Sequence, residues 1–178
     1  MDEEKTPFRI VSRKETEIGR FKIIQEELLI DGHTYPYSFS EMKDSVCILP
    51  ICEDKIVLIS EYRQSLGRRL VEFPAGAVEE GERPLDAAVR ELVEETGYEA
   101  VEMLELGCYP ISPGTSSMMV HLFAADCKKS IGQMLDKTED IAVTKVEQSE
   151  FDRMIEEGEF GFLIGIAMWE LYKRKGKR

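Results

Sequence analysis

The sequence predicts an α/β layered domain, a sheet with helices over both of its faces. Three observations carry that prediction. Strand-like apolar runs lie on either side of one strongly patterned acidic helix near the middle of the chain, a dense apolar helical stretch closes it, and no repeat or low-complexity tract interrupts the series. The length, 178 residues, suits one domain of ordinary size at 45–178 with a small β-rich region at 1–44 in front of it.

Taken in order, "FRIVSRKE" and "FKIIQEELLI" are rich in β-branched and aromatic residues and read as strands. Asp31-Gly32 within "LLIDGHTYPYSF" is a two-residue hairpin signal, Tyr35, Tyr37 and Phe39 alternate onto one face, and Pro36 suits an edge. So small a hairpin does not stand alone in water, and it is expected to dock on the rest of the chain or on a second copy. "SVCILPI" and "KIVLISEYRQ", joined by a turn at Glu53-Asp54, are expected to pair in the central sheet; "RRLVEFPAG" adds a short extended piece stopped by Pro74 and Gly76. "VEMLELGCYPI" and "MMVHLFAADC" are strand-like, with "SPGTSS" as the loop between them, and "IAVTKV" is expected to be the last strand. Ser149 is expected to cap a helix ending at Gly158. "FLIGIAMWELYKR" reads as a further helix, too apolar for full exposure.

Charge and composition then exclude several classes of function. With 23 Lys and Arg against 35 Asp and Glu, the net charge is −12 and the pI about 4.8, which argues against nucleic acid, since phosphate backbones are held by clustered cations. No stretch reaches the length of a bilayer span, and acids stand where a signal peptide would carry a basic and then an apolar region; a cytoplasmic protein without a membrane partner is expected. Cys47, Cys52, Cys108 and Cys127 lack CxxC spacing, and with only His33 and His121 beside them they read as free thiols rather than a zinc cage. The basic "KRKGKR" end reads as a frayed helix terminus.

The segment "GAVEEGERPLDAAVRELVEETGY" holds seven carboxylates and two arginines. Pro84 suits the first helical position and Gly97 the left-handed residue past the end, so the helix is expected over 84–96. At about 100° per residue, Leu85, Ala88, Val89, Leu92 and Val93 form a packing stripe, and Glu91, Glu94 and Glu95 gather on the opposite side. A plain solvated acidic face is the alternative. Against it stand like charges at i,i+4 that no lysine relieves, each costing a few tenths of a kcal/mol. Carboxylate oxygens on adjacent turns are also the hard donors that Mg²⁺ or Mn²⁺ accepts. Gly76 leaves room for main-chain carbonyls near an ion, Glu82 near the helix N-terminus has either a structural or a catalytic part, and Arg90 is placed to orient the carboxylates.

Gly76, Glu82, Arg90-Glu91-Leu92, Glu94-Glu95 and Gly97, in this spacing, resemble the signature of Nudix hydrolases, G-x5-E-x7-R-E-U-x-E-E-x-G-U with U aliphatic; only Tyr98 departs, at a packing position. "EYRQ" from Glu61, "VEFPAG" from Val71 and "YPISPG" from Tyr109, with Pro113, resemble the ADP-ribose pyrophosphatase branch. The resemblance implies a Nudix fold, a mixed β-sheet sandwiched between helices. It also implies hydrolysis of a nucleoside diphosphate linked to another group, ADP-ribose giving AMP and ribose 5-phosphate, with Mg²⁺ (or Mn²⁺) as cofactor. A homodimer that exchanges the N-terminal region is implied as well. In that reading Glu91 and Glu95 hold the metal with the carbonyl of Ala75, and Glu94 assists. Glu139, ahead of Asp140, is the base from the loop "KTEDIAV", Arg63 and Arg68 meet the phosphates, and Glu72 touches substrate or orients its strand. Two features depart from the branch: Thr115-Ser116-Ser117-Met118 lacks the acid that relatives carry after S-P-G, and "FGFLIGIAMW" lacks their polar helix start. The rival readings are GDP-mannose or another nucleotide sugar as substrate, and a non-catalytic module that senses ADP-ribose, which the retained glutamates oppose.

Overall fold

The computed structural model describes residues 7–128, 132–135, 137 and 139–175. The chain divides into two compact units, Met1–Lys43 with Pro110–Met119, and Asp44–Tyr109 with Val120–Arg178. The first unit is an antiparallel meander of β1 (Arg9–Ile18), β2 (Phe21–Ile30) and β3 (His33–Glu41). Asp31 and Gly32 have φ of 50° and 80°, the positive values that a two-residue hairpin turn demands, and Ile30 sits opposite His33. A second hairpin, which sequence reading did not single out, turns at Gly19, φ 60°, with Ile18 opposite Phe21. Pro36 lies in β3, the end strand of the meander, so its missing N–H is tolerated at an edge. The serine-rich loop does more than connect. The Ser40 N–H donates to the Thr115 carbonyl at 2.9 Å, the Ser40 carbonyl accepts from the Ser117 N–H at 3.0 Å, and the Tyr37 hydroxyl donates to the Gly114 carbonyl at 3.2 Å.

The second unit is built on a seven-stranded sheet of β4 (Ser45–Cys52), β5 (Lys55–Arg63), β6 (Arg68–Glu72), β7 (Ala75–Ala77), β8 (Glu99–Pro110), β9 (Met119–Lys128) and β10 (Ile141–Glu147). Its order is β10-β5-β4-β9-β8, with β6 on β5 and β7 on β4. The β4–β9 pairing is parallel and β4–β5, β4–β7, β5–β6 and β5–β10 are antiparallel, so the sheet is mixed. Alternation with period two sends successive residues to opposite faces. Val46, Ile48 and Val57 pack with Ala87, Ala88 and Leu92 of α1 (Pro84–Thr96). Cys47, Leu49, Ile56 and Leu58 pack with Phe151 of α2 (Gln148–Glu156), Met168 and Trp169 of α3 (Leu163–Lys175), and Phe73 and Phe160. Both faces are therefore covered, and the α/β class holds. No helix among the described residues is long and apolar enough to cross a membrane.

Three local expectations need correction. The stripe on α1 is rotated: Leu85 and Val89 are 41% and 40% exposed, while Ala87, Ala88, Glu91, Leu92 and Glu95 are buried. Two adjacent alanines let the helix come close to β4 and β5, and that close approach outweighs the burial of the larger side chains. Ser149 is not a cap. Strand β10 runs to Glu147 and α2 begins at once at Gln148, leaving Ser149 inside the first turn. Glu147 takes the cap position without a side-chain cap bond, because its carboxylate is held 2.7 Å from Lys55, its cross-strand partner. Lastly, "RRLVEFPAG" is two strands, since Pro74 divides β6 from β7.

Candidate active site

The face of β5 toward α1 changes character along its length. Val57 and Ile59 are fully buried on it; two and four residues beyond Ile59 the same parity brings Glu61 and Arg63, and Glu72 of β6 lies directly opposite Ile59. Charged groups thus replace apolar ones at one end of this layer, where α1 carries its own acids.

Pro84 opens α1 and Gly97, in the left-handed conformation at φ 71°, closes it, its N–H returning to the Val93 carbonyl. On the buried side Glu95, 4% exposed, accepts the Ala75 N–H on Oε2 at 2.9 Å. Burial pushes its carboxyl up to about 9, and the charges of Glu91, Glu61 and Glu139 add to that against the opposing pull of the Ala75 bond. Glu91, 9% exposed, is likewise raised by burial, with Arg90 opposing and Glu94 and Glu139 adding. A Cβ on Gly76 would fall 2.0 Å from the Glu91 carboxylate carbon. The glycine therefore makes room for that side chain. Glu94 is the half-exposed member of the three.

Arg90 holds this group together. Its Nη1 donates to Glu91 at 2.7 Å and Glu94 at 3.0 Å, its Nη2 to the Ala77 carbonyl at 3.0 Å, and its Nε and Nη2 grip Glu82 at 3.0 and 2.9 Å. The guanidinium, helped by the Glu79 N–H, draws the Glu82 carboxyl down to about 2. Glu82 therefore locks the turn before α1 to the middle of the helix.

On the strands, Arg63 grips Glu72 through Nε at 2.6 Å and Nη2 at 2.9 Å and reaches Glu61 through Nη1 at 3.0 Å. Burial raises Glu61, Arg63 opposes, and the charges of Glu72 and Glu139 add. Glu139 is half-buried and close enough to Glu61, Glu91 and Glu95 to act on all three. Asp140 is engaged elsewhere: its carboxylate pairs with Arg69, whose Nη1 also donates to the Asp140 carbonyl at 3.2 Å. Arg68 is exposed, directly opposite Arg63, and has no ionic partner among the described residues. The approach to β10 is tied to the end of α1, since Gln133 Nε2 donates to the Glu95 carbonyl at 2.7 Å and the Met134 N–H to the Glu94 carbonyl at 2.9 Å.

The structure brings Glu91, Glu95 and Glu139 into one electrostatic neighbourhood and adds Glu61, which sequence reasoning missed. A signal was present: Glu61 continues the buried parity of Val57 and Ile59. Arg69 and Gln133 gave no signal. Desolvated carboxylates that raise one another, beside a glycine with no Cβ in the way, suit a hard divalent ion. As they stand, no three such side chains among the described residues converge on one point. Arg90 holds one oxygen of Glu91 and the Ala75 N–H one oxygen of Glu95, which leaves the second oxygen of each without a hydrogen bond among the described residues. Two cavities, of about 380 Å³ beside Tyr172 and about 370 Å³ beside His121, include none of the four carboxylates.

A mixed sheet between helices, with this acidic helix docked on it, is the architecture of a known class of hydrolase. The NUDIX domain model matches residues 42–160, and the chain belongs to the Nudix hydrolase family. It is 36% identical over 132 residues to the methanol dehydrogenase activator of Bacillus methanolicus, which covers 72% of this chain and 71% of that protein. It is 34% identical over 118 residues to the ADP-ribose pyrophosphatase of Bacillus subtilis (strain 168), covering 65% of this chain and 64% of that one. A crystal structure described as that of an ADP compounds hydrolase matches with a TM-score of 0.84 over 96% of this chain and 95% of the other, at 22% identity, which bears on the fold alone.

Proposed function

We propose that the chain is a Mg²⁺-dependent hydrolase of the pyrophosphate bond in nucleoside diphosphates linked to a second group, cleaving ADP-ribose to AMP and ribose 5-phosphate. The observation that carries this reading is the pair Glu91 and Glu95, buried on adjacent turns of α1 against Gly76 and Ala75. The similarity to the B. subtilis ADP-ribose pyrophosphatase supports the substrate. The ion, Mg²⁺ or in its place Mn²⁺, supplies neutralisation of the phosphate charge and a more acidic water.

Glu91 and Glu95 hold the ion with the Ala75 carbonyl, Glu94 assists, and Arg90 keeps Glu91 and Glu94 in register. Glu139 takes the proton of the attacking water; Asp140, committed to Arg69, ranks behind it. Arg68, exposed and without an ionic partner among the described residues, meets the phosphates. We also propose a cytosolic homodimer. Three thiols buried without a disulfide suit a reducing compartment, and the first unit exposes Ile10, Tyr35 and Tyr37 on one face of its meander, apolar groups for a second copy.

The test is a panel of ADP-ribose, other nucleoside diphosphate sugars including GDP-mannose, dinucleotides and oxidised nucleoside triphosphates, each with Mg²⁺. Fastest release of AMP from ADP-ribose is expected. Cleavage of GDP-mannose alone would move the chain to the nucleotide-sugar reading, and ADP-ribose binding without turnover would make it a sensing module.

A further inference from the structure

The forked contact between Arg63 and Glu72 is out of keeping with a simple phosphate ligand. Both Glu72 oxygens are taken by one guanidinium, at 2.6 and 2.9 Å, and Glu72 is 2% exposed. Held in this way, the guanidinium has given Nε and Nη2 to Glu72 and Nη1 to Glu61, so that three of its five N–H donors are on buried or half-buried carboxylates. What Glu72 leads into is informative. The chain passes from Glu72 through Phe73 and Pro74 to Ala75, whose N–H holds Glu95, and Gly76, against which the Glu91 carboxylate lies. At the other end of the clamp, Glu61 is the cross-strand partner of Ile141, two residues after Glu139.

We infer that Arg63 is a positioning residue: by fixing Glu72 and Glu61 to one planar fork it sets the Ala75-Gly76 seat of Glu91 and Glu95 at a fixed distance from the strand end that carries Glu139. The bidentate geometry matters more than the charge. A lysine at 63 presents a single ammonium and cannot hold both Glu72 oxygens and Glu61 in one plane. This inference deepens the metal-centre reading above and is independent of which nucleotide is cleaved.

The experiment uses the full chain and reads Mn²⁺ affinity by calorimetry without nucleotide, beside kcat and KM for ADP-ribose at saturating Mg²⁺. For Arg63→Lys, Mn²⁺ affinity and kcat are each expected to fall roughly tenfold or more, the scale of lost support behind a metal ligand, with KM within about twofold of wild type. Unchanged Mn²⁺ affinity with KM raised about tenfold and kcat kept would overturn the inference and return Arg63 to the phosphates. Should Arg63→Lys fail to fold, Arg63→Met with Glu72→Gln removes both charges together, so that Glu72 is not left as a buried carboxylate without its partner. The same loss of Mn²⁺ affinity is expected there, and wild-type affinity in that variant would likewise overturn the inference. If ADP-ribose is not a substrate at all, the substrate reading fails while the Mn²⁺ titration still decides the role of Arg63.

Discussion

Glu95 shows how a single residue here trades stability for chemistry. Glu95 has its carboxyl raised to about 9 in the folded, metal-free chain, above the ordinary value of 4.5 that it regains on unfolding. Its contribution to stability is therefore fully present below pH 4.5 and is lost as pH rises through about 9. In EDTA, the melting temperature is expected to fall over that window for the wild type and to fall less for Glu95→Gln, while the same substitution lowers turnover by orders of magnitude. Near-normal turnover in Glu95→Gln would contradict its place at the ion. Gly76→Ala separates folding from function in another way. The added Cβ meets the flexible end of Glu91, which swings aside at little cost, so the melting temperature is expected to stay near wild type while Mn²⁺ affinity drops. A large loss of stability would show that the strand itself cannot give. At this scale Glu91 and Glu95 were legible because carboxylates three to four residues apart on a helix announce themselves. Glu61 was obscure because a lone acid in a strand looks like surface until its parity is followed.

The helix α1 was legible in its ends and illegible in its rotation. Pro84 and Gly97 are local signals, read from backbone chemistry alone, and they fall where the helix begins and ends. Which face is buried depends on how closely the helix approaches the sheet, and hydrophobicity alone pointed to Leu85 and Val89 in place of Ala87. The consequence is measurable by urea unfolding. Val89→Lys is expected to change stability by no more than about 0.5 kcal/mol, whereas Ala88→Leu, forced between α1 and the sheet, is expected to cost about 1–3 kcal/mol. Equal effects would mean that the rotated face is wrong. The start of α2 was misread for a related reason. Ser149 is a good cap by chemistry, but β10 keeps its register with β5 through Glu147 and Lys55 and leaves the cap position to Glu147.

For the whole molecule, the layered class followed from the order of strand-like and helical patterns, because burial of a sheet on both faces leaves continuous apolar runs such as "SVCILPI". The pairing of the loop 110–119 with β3 did not follow, since serine-rich loops carry no long-range signal. The thiols offer a global check on packing. Cys108 is exposed, whereas Cys47, Cys52 and Cys127 are buried and Cys127 is pushed up to about 12 by burial. Under native conditions Ellman's reagent is expected to modify one thiol of the four, and slowly, because burial and the Asp44 and Glu105 charges raise Cys108 too. Fast reaction of all four would contradict the core. Light scattering is expected to give twice the chain mass of 20.4 kDa; a single-chain mass would rule out the proposed dimer.

The first unit is assembled from two stretches of chain separated by much of the second, and among the described residues the outer edge of β3 is met by residues 114–117. During synthesis, then, the N-terminal meander leaves the ribosome with an open flank and has to wait for the stretch Asp44–Tyr109 of the second unit to follow before that flank is covered. Cutting the gene at residue 44 separates neither piece cleanly: one fragment lacks its closing loop, and the other carries that loop with nothing to close.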